Sequence, residues 1–351
     1  MDKIGKSYED DLRLVFYNDL PWDVLSGKKV LVTGSTGLIG GCIVDSLMQN
    51  PNKNYDVYAS GRDESRARRR FGHFWGDPKF HFVVYDVLKP LDCDLKFDYI
   101  IHAASHADPK SFVEKPVEII RSNIDGLINL MEYGLAHQMK RFLYISSGEI
   151  YGEGNGNVLN ENYSGYVDCL KSRSCYPSSK RAAETLCVSY IEEYGVDAVI
   201  ARPCHVYGPN FTENDSRVYA QFIRNILNGS DILMKSNGLQ FRSWCYVVDC
   251  VSALFYILLK GEKGQAYNIA DKASSLTIKE LAEMIAKIGG KKVEIVVPPN
   301  SESKGYNVIS NSIFSTEKLE SLGWSVAGSM EEKLRKTILF ERGKYGRYES
   351  L

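Results

Sequence analysis

Val30-Leu31-Val32-Thr33-Gly34-Ser35-Thr36-Gly37-Leu38-Ile39-Gly40 is the stretch that decides how the rest of the chain is read. An apolar run, Lys29–Val32, reads as a buried strand. Three glycines follow at positions 34, 37 and 40, and Gly41 to Met48 has helical spacing. Gly34 permits a tight turn, Gly37 lets the backbone approach a pyrophosphate, and Gly40 lets helix and strand pack closely. An anion in such a turn meets the N–H groups of a helix N-terminus. The alternative is a plain glycine turn, and the surroundings choose between the two.

Outward from this turn the chain alternates. Tyr55–Ser60, Lys79–Tyr85, Phe97–His102, Arg141–Ser146 and Val196–Ala201 read as further strands, and Val117–Gly134 and Ser178–Tyr194 as helices. Strands alternating with helices imply a parallel sheet covered on both faces. The expected fold is therefore α/β: a Rossmann-type doubly wound parallel sheet with a smaller C-terminal α/β substrate domain. Residues 1–27 form a polar, partly helical lead-in, with Leu14, Val15 and Leu20 able to give it an apolar face. Residues 28–201 form the dinucleotide-binding domain. Past Arg202 the rhythm changes, and the stretches Gly208–Asn214, Asn228–Gly238 and Val297–Gly305, rich in glycine, asparagine or proline, separate shorter elements. Residues 202–351 read as mainly a substrate domain, partly interleaved with the first.

Composition narrows the class. The 351 residues carry 43 Lys and Arg against 44 Asp and Glu, a net charge of −1, which argues against a nucleic-acid binder. A hydrophobic content of 44% with 25% charged residues is that of a soluble globular protein. The longest apolar run, Val251–Leu259, is about half of what a membrane span needs, and the first residues show no signal-type apolar stretch. The eight cysteines form no C-x-x-C pair, so they read as reduced packing thiols of a cytoplasmic protein. No metal is expected, because the histidines lack H-x-x-x-H or carboxylate pairing.

Two patches carry chemistry. Tyr144-Ile145-Ser146-Ser147-Gly148-Glu149-Ile150-Tyr151-Gly152 follows a strand, and Tyr176-Pro177-Ser178-Ser179-Lys180 opens a helix. Tyrosine and lysine four apart share a helix face. The ammonium is expected to lower the phenol's pKa, so that Tyr176 abstracts a hydroxyl proton near neutral pH, with Ser147 sharing that hydrogen bond. At the end of the second strand, where an acid usually binds the adenosine ribose, stand Gly61 and Arg62. Arg62 suits a 2′-phosphate, and Arg66, Arg68, Arg69 and Arg70 follow it; the alternative is a solvated basic helix start. Asp86, after the third strand, is placed to bond the adenine amino group.

Taken jointly, the motifs resemble the extended short-chain dehydrogenase/reductases of the nucleotide-sugar epimerase/dehydratase type, over roughly Lys28 to Gly323. The markers are Gly34/Gly37/Gly40, His102-Ala103-Ala104-Ser105, Ser122-Asn123-Ile124-Asp125-Gly126, Ser147, Tyr176/Lys180, Arg202 with Tyr207-Gly208-Pro209, and Arg242 through Asp249. Within the family the likeness is greatest to UDP-glucuronate decarboxylases. His102 to Pro109 resembles their H-x-A-S-x-A-S-P, Arg173 to Tyr176 their R-A-C-Y, Lys180 to Thr185 their K-R-x-A-E-T, Asn214 to Val218 their N-D-G-R-V, and Gly238 to Arg242 their G-S-Q-T-R. The resemblance implies NAD, while Gly61-Arg62 leaves NADP open. It implies cofactor contacts at Thr36, Leu38, Ile39, Val87, Ala103, Ala104, Ser105, Asn123, Tyr176, Lys180 and Pro203. It implies substrate contacts at His106, Glu149, Arg173, His205, Arg217 and Arg242, with Ser147, Glu149, Tyr176 and Lys180 catalytic. A homodimer is expected as well. Two positions depart from the pattern. Gly148 stands where decarboxylases have serine and dehydratases aspartate, and is expected to leave room for a bulkier 5-substituent or a water. His205 stands where most members have asparagine.

The chemistry that the resemblance implies is oxidation at C4 of a nucleoside-diphosphate sugar. The 4-keto sugar then loses carbon dioxide or water. Alternatives are a 4-epimerase, an NADPH-dependent reductase of a 4-keto sugar and, outside enzymes, an inactive Rossmann binding protein.

Overall fold

The computed structural model describes residues 7–105, 107, 109–213, 215–297 and 311–346. Six strands alternate with helices along the first two-thirds of the chain: β1 (Lys29–Thr33), β2 (Asp56–Gly61), β3 (Phe80–Val84), β4 (Tyr99–His102), β5 (Arg141–Ile145) and β6 (Ala198–Pro203). The short β7 (His205–Tyr207), β8 (Ile232–Met234) and β9 (Phe241–Tyr246) follow, then β10 (Ala266–Ile269), β11 (Asp271–Thr277), β12 (Val293–Ile295) and β13 (Asn311–Ser312). The main sheet has seven parallel strands in the order β10-β6-β5-β4-β1-β2-β3. Its seventh strand, β10, lies beyond residue 202, so the chain returns to the first sheet midway through building the second lobe. β1 lies between β2 and β4, where the strand order reverses, and the crevice at the carboxyl ends of such strands is where ligands bind.

Both faces of the sheet are covered, which is why its strands are runs of apolar residues rather than alternating ones. Val30 and Val32 pack on one side, with α2 (Leu38–Gln49) and, from the later chain, α8 (Val247–Lys260). Leu31, Ile100 and Phe142 pack on the other, with α5 (Pro116–Ala136) and α6 (Cys175–Tyr194). The apolar run at 251–259 is thus an interior helix. No helix among the described residues is long and apolar enough to cross a membrane.

α6 begins at Cys175, three residues earlier than the sequence suggested. Pro177 falls in its first turn, where a missing N–H costs nothing. The lead-in folds as α1 (Tyr8–Leu14) and a short turn that buries Val15 and Leu20. It is fastened by Tyr8 Oη donating to Asp45 on α2 (2.9 Å) and by Lys336 donating to Asp11 (2.8 Å). In the second lobe β9 carries β7, β11 and β13.

Candidate active site

The glycine turn folds as its spacing requires. Gly34 has φ +64°, and a Cβ there would fall 2.6 Å from Ala104 Cα; a Cβ at Gly40 would fall 2.3 Å from the Gly34 carbonyl oxygen. Only glycine lets the turn, the strand and the next loop meet this closely. Gly37 caps α2 with no side-chain hydrogen bond, so the first N–H groups of the helix remain for a ligand. Leu38, Ile39 and Gly40 line a cavity of about 870 Å³ that also takes in Ala103, Ser105, Ser147, Tyr176 and Pro203. A glycine cradle, an uncapped helix N-terminus and a cleft of this size at the switch point fit a dinucleotide.

Asn123 ties the two halves of the cleft together. Ser105 Oγ donates to its Oδ1 (2.8 Å), and its Nδ2 donates to Ser179 Oγ (2.9 Å), which itself donates to the Cys175 carbonyl (2.6 Å). The loop after β4 is thereby pinned to the helix that carries Tyr176. Beneath it His102 Nδ1 bonds Thr33 Oγ1 (2.8 Å), and burial pushes this imidazole down to about 3, with the Lys180 charge adding to the effect.

Not every residue expected at the cofactor reaches the cleft. Asp86 accepts from the Leu88 N–H (3.1 Å), and Val87 packs on Gly126; neither lines the cavity. Thr36 gives its carbonyl to Arg66 Nη2 (3.1 Å), and it is Arg66, one turn beyond the expected position, that lines the cleft. Arg62 lies 3.7 Å from Glu118 with a mostly exposed side chain. The nearby acid, Asp63, is occupied in capping the helix Glu64–Phe71. His106 lies outside the described residues.

Ser147, Tyr176 and Lys180 converge as expected, but their electrostatics differ from the sequence reading. Tyr176 is pushed up to about 12, first by burial and then by the Glu149 charge, against a hydrogen bond from Ser147 and the charges of Arg173 and Arg217. Lys180 is pushed down to about 7 by burial, partly offset by Glu184. Its ammonium donates to the Ile145 carbonyl (2.8 Å) and lies 5.9 Å from the centre of the Tyr176 ring. The expected lowering of the phenol by Lys180 is therefore corrected: burial is the first cause on both groups, raising the phenol and lowering the amine. Phe112 stacks on Tyr176 with ring centres 4.6 Å apart.

Beyond Tyr176 the cleft is lined with charge. Arg173 grips Glu149 through both carboxylate oxygens, each at 2.9 Å, while lying over the Phe112 ring. Arg242 on β9 is buried; burial pushes it down to about 10, and Glu149 opposes that fall. Arg217 is braced by the buried Asp215 through Nε (2.9 Å) and Nη2. His205 lies between these two arginines and Trp244. It is pushed down to about 3 by burial first and then by the charges of Arg242 and Arg217, so it stands there as a neutral imidazole. Gly148 is not the open space expected of it, since the ring of Phe314 already fills that position. Among the described residues no group of three His, Cys, Asp or Glu could hold a metal ion.

Sequence reading missed Phe112, Asp215, Trp244 and Phe314. Arg66 was visible as one of a run of bases, with nothing to single it out.

Comparison with known proteins gives the family. The model of the NAD dependent epimerase/dehydratase family matches residues 30–270. The UDP-glucuronic acid decarboxylase 6 of Arabidopsis thaliana is 35% identical over 280 residues, 79% of this chain and 78% of that protein. The UDP-glucuronic acid decarboxylase 1 of Danio rerio is 30% identical over 316 residues, 89% and 72% respectively. Among solved structures, the UDP-N-acetylglucosamine 4-epimerase of Methanobrevibacter ruminantium superposes with a TM-score of 0.77 at 26% identity, covering 91% of this chain and 99% of that one. DesIV of Streptomyces venezuelae, a dTDP-glucose 4,6-dehydratase with NAD bound, shares the fold with a TM-score of 0.81 at 23% identity, covering 92% and 99%. By its glycine turn, its Ser147–Tyr176–Lys180 set and these matches, the chain belongs to the NAD-dependent epimerase/dehydratase family.

Proposed function

We propose that this protein oxidises C4 of a nucleoside-diphosphate sugar acid, releases its C5 carboxylate as carbon dioxide, and restores the C4 hydroxyl before product leaves. One observation carries the reading: a single cavity holds Ser147, Tyr176 and Lys180 together with Glu149, Arg173, Arg217 and Arg242. The similarity to UDP-glucuronic acid decarboxylases, at 30–35% identity, supports the choice of substrate.

A bound nicotinamide dinucleotide supplies the acceptor, and later the donor, of a hydride at C4. The N–H groups at Leu38 to Gly40 would hold its pyrophosphate, and Ala103, Ser105 and Pro203 wall the cleft. Tyr176, in its phenolate form, takes the proton of the C4 hydroxyl, and Ser147 holds the same oxygen. A carboxylate on C5 is β to the resulting C4 ketone. The C5–carboxyl bond breaks, its electron pair passes to the ketone as an enolate, and C5 is then protonated. Glu149 orients the carboxylate or passes that proton, and Arg173 holds Glu149 in position. Arg217 and Arg242 grip the diphosphate or the carboxylate.

The second reading is a 4-epimerase. It is favoured by Gly148, which offers no side chain to act at C5. Incubation with UDP-glucuronate, UDP-glucose and UDP-N-acetylglucosamine, with products read by mass, tests the choice. Carbon dioxide loss from UDP-glucuronate alone supports decarboxylation, water loss indicates a dehydratase, and unchanged mass with an altered C4 configuration indicates an epimerase.

The reading extends to a cytoplasmic homodimer. The cysteines carry no disulfide, and Val117 and Ile120 on α5 and Val188 and Tyr194 on α6 expose apolar side chains on adjacent helices.

A further inference from the structure

An ideal Cβ at Gly148 would fall 2.5 Å from Phe314 Cζ, 2.8 Å from Cε2 and 3.3 Å from Cε1. The ring therefore occupies the place where a side chain at 148 would project. It is 3% exposed and packs with Ile150, Tyr151, Leu159 and Ala270. Its backbone is tied to the substrate lobe: the Phe314 N–H donates to Ser243 Oγ (3.2 Å), and Ser312 pairs with Arg242 across β13 and β9. The same ring lines the cavity beside Ser147, Gly148 and Glu149.

We propose that Phe314 is a specificity-determining residue of the sugar subsite: its ring replaces the side chain absent at 148 and closes the wall between Ser147 and Glu149 to water, beside the C5 substituent. This rests on the decarboxylation reading above. A carboxylate set against an aromatic wall loses hydration that a hydroxyl or a water would have supplied. As the C5–carboxyl bond breaks, the charge moves to the C4 oxygen and the departing carbon dioxide is neutral. The wall thus raises the bound substrate more than the transition state.

The test is Phe314→Ala in the full chain, with calorimetric Kd for UDP-glucuronate, UDP-glucose and UDP, and with kcat and KM for UDP-glucuronate. The expected result is UDP-glucuronate binding tightened about fivefold or more relative to UDP-glucose, UDP binding unchanged, and kcat down about tenfold with KM falling alongside. Phe314→Leu, which keeps the wall apolar, stays within about threefold of the parent in each constant. Phe314→Asn gives the alanine result if the alanine variant does not fold. Gly148→Ser weakens binding of both sugars through the clash, and Phe314→Ala added to it restores binding. A UDP-glucuronate to UDP-glucose binding ratio within about twofold of the parent, or a fall in kcat with KM raised, overturns the proposal. If the parent releases no carbon dioxide from UDP-glucuronate, the decarboxylation reading fails instead, and the three binding constants still decide whether Phe314 sets selectivity at C5.

Discussion

Replacing Lys180 by methionine should separate stability from activity. The lysine is 2% exposed, and burial pulls it from its ordinary 10.5 to about 7. Between those values the unfolded chain holds a proton that the folded one has given up. Stability therefore rises with pH through that window and falls back to its low plateau as pH drops to about 7. At pH 7.5 the shift amounts to about 4 kcal/mol withheld from the fold. Methionine removes that penalty but leaves the Ile145 carbonyl, now held at 2.8 Å by the lysine Nζ, without its donor. That loss costs roughly 1–3 kcal/mol, so a net gain of about 1–3 kcal/mol remains. The cofactor-free variant should melt a few degrees higher at pH 7.5, by roughly 2–6 °C. Its stability should also lose the slope of up to about 1.4 kcal/mol per pH unit expected of the parent between pH 7 and 9. Above that, buried thiols such as Cys42 and Cys187, pushed up by burial, pull the other way. Turnover should fall by at least about 10², as for a lost polar group beside the proton acceptor. Melting curves at pH 7, 8 and 9 with a product assay decide it. A methionine variant that melts lower with the parent's pH slope intact would show that burial of Lys180 does not withhold stability.

Three further outcomes follow from the same geometry. Tyr176→Phe keeps the stacking on Phe112 and loses the proton acceptor, so turnover should fall by on the order of 10²–10⁴ with nucleotide-sugar binding little changed; near-parental turnover would sink the assignment. Glu149→Gln removes a charge that raises the Tyr176 phenol and takes the bidentate partner from Arg173. The ascending limb of the pH–rate profile should move to lower pH and carbon dioxide release should slow by at least about tenfold, while absorbance of the reduced nicotinamide still appears on mixing; normal turnover would make Glu149 structural. Gly61 offers no carboxylate at the end of β2 and Arg66 lines the cleft, so NADP should bind more tightly than NAD by about tenfold and Arg66→Ala should flatten the difference. A titration showing NAD preferred and indifferent to Arg66 would settle the matter for NAD.

What the sequence disclosed was local. The three glycines, the tyrosine and lysine on one helix face, and the buried strands all depend on neighbours a few residues away. Spacing alone carries them. What it hid was long-range. Phe314 seals Gly148 only because β13 docks on β9, a pairing that no periodicity announces. Asp215 beside Arg217 read as part of a motif rather than as the brace that aims the guanidinium. The seventh strand, β10, is four residues long and followed a change of rhythm, so its membership of the first sheet was not visible. The reading of Lys180 failed for another reason. Helical spacing gives proximity, whereas the cost of burying an ammonium depends on everything packed around it.

In the proposed reaction hydride leaves C4 of the sugar and returns to the same carbon within one turnover. UDP-glucuronate carrying deuterium at C4 tests it directly. Carbon dioxide should be released with deuterium retained at C4 of the product and none gained by free nicotinamide cofactor in solution. Product that carries protium at C4, or carbon dioxide release that proceeds unchanged in Tyr176→Phe, would contradict it.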